Sequence, residues 1–306
     1  MEVHSTKYVV RSFNSRGQAL VLVLLSLSVV LTMVLFVMAR SVTDVAVSTS
    51  SEASVRAFSA AEAGVERALV VGTASSNVSV GDAKYTSVVG NLARGLTSYN
   101  YPVPLSSGDS MTTWFVSHDP VNGNLSPTCN TSTLPCFRGT SMTVCWGKPG
   151  LLSATTPAIE VSVFYKTSAA LSSIRIGRVT ADPYANRRTT NRFGANTTTG
   201  GACTISGVTY AFKKTFTFTS IGATMSGTAG RLQFAQVRMF YNTDQAHPVG
   251  ISVAGGTTLP SQGLDIASTG TAGGANRKVA VFQSWPEVPS VFDYAVYSGS
   301  TTGLIK

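Results

Sequence analysis

An uninterrupted apolar run near the start of the chain constrains its fold more than any other feature. The 21 residues from Ala19 to Ala39 include no charged residue, no Pro and no Gly. At about 1.5 Å per residue, a helix of this length spans the roughly 30 Å hydrocarbon layer of a membrane. Three Lys or Arg residues precede the run and only Arg40 follows it closely, so the positive-inside rule predicts residues 1–17 in the cytoplasm and the rest of the chain outside.

Two simpler interpretations of this run stay open. The first is a secretory signal peptide cut after Ala39, although the run is longer than the apolar region of an ordinary signal peptide. The second is a plain membrane anchor that carries an unrelated exported domain. Neither explains the sequence that follows the run.

Helical character continues beyond Arg40, because no Gly occurs from Gln18 to Ala63 and no Pro occurs before Pro102. We predict one helix over residues 18–71, about 80 Å long. Its first half is lipid-soluble and its second half is amphipathic. A mildly apolar stripe is predicted along the second half, formed by Val47, Phe58, Ala61, Val65 and Leu69.

From residue 72 onward the apolar periodicity changes to two, which is typical of strands. The clearest alternation runs through Val208, Tyr210, Phe212, Phe216 and Phe218, and shorter runs occupy residues 113–117, 141–146, 158–166, 231–241 and 278–284. In the 231–241 run the apolar residues switch from even-numbered to odd-numbered positions near Gln236, which predicts a β-bulge there. We expect a surface loop over 186–201 and a candidate internal boundary near 147–150.

The predicted fold class is therefore α+β, with a long N-terminal helix packed on an antiparallel β-rich head. Residues 1–17 form a basic leader, 18–71 the helix and 72–306 the exported head. Charged residues make up only 12% of the chain, which argues against a helix-rich cytosolic enzyme.

Four cysteines, Cys129, Cys136, Cys145 and Cys203, all lie in the predicted head. Outside the cytoplasm they are expected to form disulfides, for which three pairings exist. We favour Cys129 with Cys136, because Pro135 and polar turn residues lie between them, which leaves Cys145 with Cys203. Spacings of 7, 9 and 58 match no ordinary zinc pattern, so neither a metal nor another cofactor is predicted.

Two runs carry a family resemblance: Arg16-Gly17-Gln18-Ala19-Leu20-Val21 and Ala57-Phe58-Ser59-Ala60-Ala61-Glu62-Ala63-Gly64-Val65-Glu66. Together they resemble the N-terminal segment of type IV pilin-like proteins, specifically the PilX type of minor pilin or pseudopilin, over residues 14–70. The resemblance implies that a prepilin peptidase cuts after Gly17 and methylates Gln18. It also implies that the helix first holds the subunit in the cytoplasmic membrane. The same helix then packs against the helices of other pilin subunits in an extracellular filament. The helix signature comprises Ala57, Phe58, Ala60, Ala61, Glu62, Ala63, Gly64 and Glu66.

One position departs from the family pattern. Major pilins carry a glutamate five residues after the cut, where it pairs with a neighbour's terminal amine, and this chain has Leu22 there. The resemblance therefore implies a structural, non-enzymatic minor subunit at a filament end or in an initiating complex. Its expected partners are other pilin subunits, the prepilin peptidase and the cytoplasmic membrane.

A basic surplus in the head suggests a second role, that of an adhesin or DNA receptor at the filament tip. Of the formal charge of +9, most comes from nine Lys and Arg between Arg175 and Arg238, where Asp182 is the one acidic residue. The candidate patch could attract DNA phosphates or an anionic cell surface, and it comprises Arg175, Arg178, Arg187, Arg188, Arg192, Lys213 and Lys214. The alternative is a solvated face that contacts acidic neighbours in the filament.

Evidence for catalysis is weak. His118-Asp119 and Asp244-x-x-His247 are fragments of a triad, but no nucleophile elbow or phosphate-binding glycine loop accompanies them. No enzyme activity is predicted.

Overall fold

The computed structural model of the chain describes residues 18–119, 123–126, 129, 134–150, 153–195 and 203–287. The predicted fold class is confirmed, because a long N-terminal helix packs on antiparallel sheets. In chain order the elements are α1 Gln18–Val71, β1 Ser75–Val80, β2 Ala83–Asn91, β3 Ser98–Asn100, β4 Ser110–Trp114, β5 Ser141–Trp146, β6 Ala158–Lys166, β7 Ile174–Ala181, α2 Ala185–Asn191, β8 Cys203–Ile205, β9 Val208–Tyr210, β10 Phe212–Thr217, β11 Leu232–Phe240, β12 Val249–Ala254, β13 Gly263–Ala272 and β14 Ala275–Ser284.

The last third of α1 packs on a four-stranded sheet of order β1-β2-β13-β14, which we call the stem sheet. Strand β13 follows the helix in the opposite direction, because Gly273 lies against Ala53, Gly270 against Ala57 and Ser268 against Gly64. The strands therefore run along the helix rather than across it. Sequence-distant segments build this sheet, since β2 pairs directly with β13.

Two further four-stranded sheets, of order β10-β5-β12-β3 and β4-β11-β6-β7, form a sandwich around one core. Side chains from both sheets fill that core, including Met142, Trp146, Ile159, Val161, Val237 and Ile251. Strands β4, β5, β6, β11 and β12 are buried over most of their length, at consecutive as well as alternate positions. Residues 147–150, the candidate internal boundary, connect β5 to β6 and thus join the two sheets of this shared core.

Several predicted elements have shifted bounds. Strands β5 and β6 occupy the predicted ranges, whereas the register break of β11 lies between Leu232 and Phe234 rather than at Gln236. Val208 and Tyr210 belong to a separate two-stranded hairpin, β8–β9, and Val208 is exposed. The predicted loop over 186–201 is helical up to Asn191.

A joint of aromatic and amide side chains connects the stem sheet to the sandwich. The Gln262 side chain accepts a hydrogen bond from the Trp114 backbone N–H at 2.7 Å and donates one to the Trp114 carbonyl at 3.0 Å. The Trp285 indole donates to the Ser261 carbonyl at 2.9 Å. Tyr101 meets Phe282 edge to face, with ring centroids 5.8 Å apart.

Candidate functional site: the assembly helix and the basic head surface

Small residues bring α1 into close contact with the stem sheet. The buried face of the helix consists of Ala57, Ala60, Ala61, Gly64, Val65 and Ala68. A Cβ atom built on Gly64 would lie 2.2 Å from the Ser268 hydroxyl oxygen, and one built on Gly270 would lie 1.9 Å from the Ala57 carbonyl oxygen. Because neither position has room for a methyl group, these two glycines set the distance between helix and sheet.

This contact accounts for half of the helix signature. Four of its residues, Ala57, Ala60, Ala61 and Gly64, face the chain's own sheet, whereas Phe58, Glu62 and Glu66 are exposed. Of the predicted apolar stripe, Phe58 and Val47 are 45% and 64% exposed and do not contact the sheet face. Ala61 and Val65 of that stripe are buried against the sheet.

Among the residues that the structure describes, none covers the first part of α1. Every residue from Ala19 to Glu52 is exposed. The hydroxyls of Ser26, Ser28 and Thr32 donate to carbonyl oxygens three residues earlier, at 2.9, 2.8 and 2.8 Å, and are thereby satisfied without water. Within the described residues this is the one helix that is long and apolar enough to cross a membrane. By its length and composition, α1 could thus anchor the chain in a lipid bilayer.

Polar contacts fix the point where α1 leaves the stem sheet. Arg56 pairs with Glu52 one turn earlier at 2.5 Å and with Asp82 in the β1–β2 turn at 3.5 Å. On the other side, the Arg277 guanidinium donates to the Ser54 hydroxyl at 2.7 Å. The processing site implied by the resemblance is described only in part, because Gly17 lies outside the described residues and Gln18 is the first residue of α1.

Arg187 does not belong to an accessible anion patch. Its guanidinium donates to both carboxylate oxygens of the fully buried Asp182, at 3.0 and 2.8 Å. It also donates to the Ala154 and Thr156 carbonyls and lies 4.2 Å from the centroid of the Tyr241 ring. Its charge is therefore neutralised inside the protein, where it holds α2 against the sandwich.

The other six patch residues lie at one open side of the sandwich, on β7, α2 and β10. Arg175, Arg178 and Arg192 are exposed, and Arg188, Lys213 and Lys214 are half-buried. Lys214 donates to the Ala195 carbonyl at 2.7 Å, and the neighbouring Gly194 N–H donates to the Thr180 hydroxyl at 3.1 Å, which brings β10 close to the end of β7. Part of the charge is balanced, because Arg178 lies 3.8 Å from Glu160.

The cysteines pair as favoured, Cys129 with Cys136 and Cys145 with Cys203. The second bond fastens the β8–β9 hairpin to β5 on the outer surface of the sandwich. Tyr210 of this hairpin donates to the Asn100 side-chain oxygen at 2.7 Å, which secures the same attachment.

Both histidines of the head are packed against neighbouring groups of the fold. His118 stacks on Trp285 with ring centroids 4.8 Å apart and meets Trp114 edge to face, and burial lowers the pKa of His118 to about 4. His247 Nδ1 accepts a hydrogen bond from the Lys148 backbone N–H at 3.0 Å, and burial lowers the pKa of His247 as well. In the described ranges, no three His, Cys, Asp or Glu side chains are grouped so that they could hold a metal ion.

Sequence reasoning missed two residues that shape these surfaces, Asp182 and Gly270. Each carried a signal, since Asp182 is the sole acid among nine basic residues and Gly270 interrupts a strand. Comparison of the chain with protein-family models, with curated proteins and with solved structures finds no match.

Proposed function

We propose that the chain is a structural, non-enzymatic minor subunit of a type IV pilus-like filament. It is inserted into the cytoplasmic membrane through α1, processed by a prepilin peptidase after Gly17, methylated at Gln18 and assembled with other pilin subunits into an extracellular filament. The observation that carries this proposal is the continuity of α1 from Gln18 to Val71, with every residue from Ala19 to Glu52 exposed. A segment that is apolar on all sides is equally satisfied by lipid and by other such helices, so it can pass from a membrane to a filament core.

The division of the helix signature supports the same proposal. Ala57, Ala60, Ala61 and Gly64 fix the head to the helix, which leaves Phe58, Glu62 and Glu66 on the outer side for contacts with neighbouring subunits. Leu22, which replaces the pairing glutamate of major pilins, is 64% exposed in the uncovered part and supports a minor rather than a bulk role.

The test is the N-terminus of the protein from native cells, determined by sequencing and intact mass. We expect a chain that starts at Gln18, with an added methyl group. Gly17→Leu should leave Met1 in place, whereas the matched change Ala39→Leu should alter nothing. A start at Arg40 would show ordinary secretion and overturn the proposal. Retention of Met1 in the unmodified protein would also overturn it and leave a membrane-anchored β protein.

A second candidate function is a tip-located adhesin or DNA receptor on the same scaffold. The specific observation is the exposure of three basic residues on this side of the head, Arg175 and Arg178 on β7 and Arg192 directly after α2; in the described part of the chain, the salt bridge from Arg178 to Glu160 is the one that balances them. Changing these three residues to Gln should reduce DNA or cell-surface binding while filaments still form. The matched control changes three exposed basic residues elsewhere, Arg67, Lys84 and Lys148, to Gln. Loss of filaments with unchanged binding by the head would identify the cluster as an assembly surface.

A further inference from the structure

We propose that the open edge of β14 pairs with the β1 edge of a second copy of this chain, so that neighbouring stem sheets join into one antiparallel sheet. The inference rests on the proposed function for one point only, which is that neighbouring α1 helices lie parallel. Everything else comes from the geometry of the stem sheet.

The hydrogen-bond register shows which backbone groups of β14 face outward. Strand β14 pairs with β13 over ten residues without a break, starting from a two-residue turn at Gly273 and Gly274 with positive φ at both positions. In such a turn the closing pair, here Ala272 and Ala275, exchanges both hydrogen bonds. Alternation then directs the N–H and C=O groups of Asn276, Lys278, Ala280, Phe282 and Ser284 away from β13. Among the described residues, no strand pairs with that side.

This edge carries few of the features that keep edges unpaired. Proteins protect open edges with prolines, bulges, charges or a very short strand. Strand β14 has ten residues, no Pro and no bulge, and its charges are Arg277 and Lys278 at the start. Arg277 is engaged with Ser54 of α1, and residues 279–284 carry no charge.

Strand direction selects β1 as the partner. The stem sheet is antiparallel throughout, and its strands run along α1. Two copies anchored in one membrane have their helices parallel. In that arrangement β14 of one copy runs antiparallel to β1 of the next copy. An antiparallel pair of two β14 strands would instead require the two α1 helices to point in opposite directions. Such a head-to-tail contact leaves a free β1 edge on one copy and a free β14 edge on the other, so further copies can be added at both ends, as a filament requires.

Charges at one end of the sheet are complementary. The β1–β2 and β13–β14 turns lie at the same end, because Lys84 pairs with Thr271. Asp82 in the first turn has a side chain that is 91% exposed, and Lys278 belongs to the fourth residue pair counted from the second turn. Joining the sheets brings Asp82 of one copy towards Lys278 of the next.

The pairing is confined to the end of the sheet that carries these turns. Strand β1 has a register break between Ser75 and Val78, and Asn77 has a φ of 50°. Regular pairing is thus left to Val78–Val80, and by the rule for two-residue turns Ser79 directs its N–H and C=O outward. Ser79 is therefore the residue expected opposite the start of β14.

Cysteine cross-linking of the full chain in native membranes tests this contact. Ser79→Cys is combined in turn with Asn276→Cys, Lys278→Cys and Ala280→Cys. We expect one of the double variants to form oxidised dimers and higher multimers, because each copy carries both cysteines of the contact. A mixture of its two single variants should form dimers only. Each single variant alone should stay monomeric. Ser79→Cys with Val88→Cys is the control, because Val88 is 60% exposed but lies inside the sheet. Equal cross-linking of this control would overturn the proposal.

Proline substitutions separate the contact from the fold. Lys278→Pro removes an outward N–H and should lower cross-linking of Ser79→Cys with Asn276→Cys or with Ala280→Cys, whichever of these pairs forms, about tenfold while the monomer stays folded. If Lys278→Cys is the variant that cross-links, Ala280→Pro takes the same place, because Ala280 also directs its N–H outward. Lys278→Ala keeps the outward N–H of position 278 and should lower the yield of cross-linking less than Lys278→Pro does. Val279→Pro removes an N–H that pairs with β13 and should unfold the stem sheet. Unchanged cross-linking in Lys278→Pro would overturn the pairing. The N-terminus is sequenced in the same samples: a start at Gln18 without cross-links overturns this inference alone, and cross-links with Met1 retained overturn the proposed function alone.

Discussion

Gly270 shows at the scale of one residue how the helix is held. Its missing side chain lets the Ala57 carbonyl approach, because a Cβ atom there would lie 1.9 Å from that oxygen. We expect Gly270→Ala to lower the free energy of unfolding by about 1–3 kcal/mol, since the backbone of α1 must shift. Denaturant unfolding in detergent measures this. Gly90→Ala on β2 is the control, because its Cβ would make an ordinary contact at 3.5 Å, and equal losses would contradict the argument.

Arg187 and Asp182 form a largely buried ion pair in the head. Arg187→Met leaves the Asp182 carboxylate, which is fully buried, without its counter-charge. We expect a loss of about 3–5 kcal/mol in the free energy of unfolding. The exposed Arg192→Met should cost less than about 0.5 kcal/mol. The double variant Asp182→Asn with Arg187→Met should recover part of the loss, and no recovery would mean that packing against Tyr241 dominates.

His118 makes stability depend on pH. Burial between two tryptophan rings lowers its pKa to about 4 in the folded state, from 6.5 in the unfolded chain. The unfolded state therefore binds more protons than the folded state over this interval. The contribution of His118 to the free energy of unfolding is fully present above pH 6.5 and declines as the pH falls towards 4. We expect His118→Phe, which keeps the stacked ring, to flatten the profile of unfolding midpoint against pH between 4 and 6.5. An unchanged slope would show that the pH dependence of stability comes from other titrating groups.

At the scale of elements, the sequence predicts best where its local signal is uniform. Helix α1 has the predicted bounds because no Gly or Pro interrupts residues 18–63, and strands β5 and β6 have theirs because apolar residues recur at every second position. Helix α2 was not predicted, since its residues Ala-Asn-Arg-Arg-Thr-Thr-Asn show no apolar face and it is held by Arg187 against Asp182. Phe58 was assigned to the apolar stripe by its helical spacing, but the close contact at Gly64 leaves small residues facing the sheet and Phe58 exposed.

Helix α1 should divide into two parts by hydrogen exchange. Residues 42–52 are rich in Val, Thr and Ser and are exposed, whereas Ala57–Ala68 pack on the stem sheet. In detergent-solubilised monomer we expect fast exchange over 42–52 and slow exchange over 57–68, because an uncovered helix of low propensity opens locally. In filaments both stretches should be protected. Equal protection in the monomer would contradict this division.

For the whole molecule, connectivity was the part that sequence reasoning could not supply. The stem sheet joins β2 to β13, which are separated by more than half of the chain, and no local pattern specifies such a pairing. The patch was likewise only partly predictable, because a count of charges cannot distinguish exposed Arg192 from Arg187, which is neutralised inside the fold.

The two disulfides should contribute unequally. Cys145 and Cys203 are 58 residues apart and Cys129 and Cys136 are 7 apart. In the chain-entropy model these loops correspond to about 4 and about 2 kcal/mol. We expect the double alanine variant at Cys145 and Cys203 to lower the unfolding midpoint more than that at Cys129 and Cys136, measured by thermal unfolding under non-reducing conditions. The reverse order would show that loop length is not the deciding quantity.

The lengthwise course of β13 along α1 has a mechanical consequence. When the head is pulled away from the membrane end of the helix, the force acts along both elements. The contacts from Ala53 at Gly273 to Gly64 at Ser268 are then loaded together, in shear, rather than peeled apart one after another. Tension on the head is thus shared by the entire contact between helix and sheet.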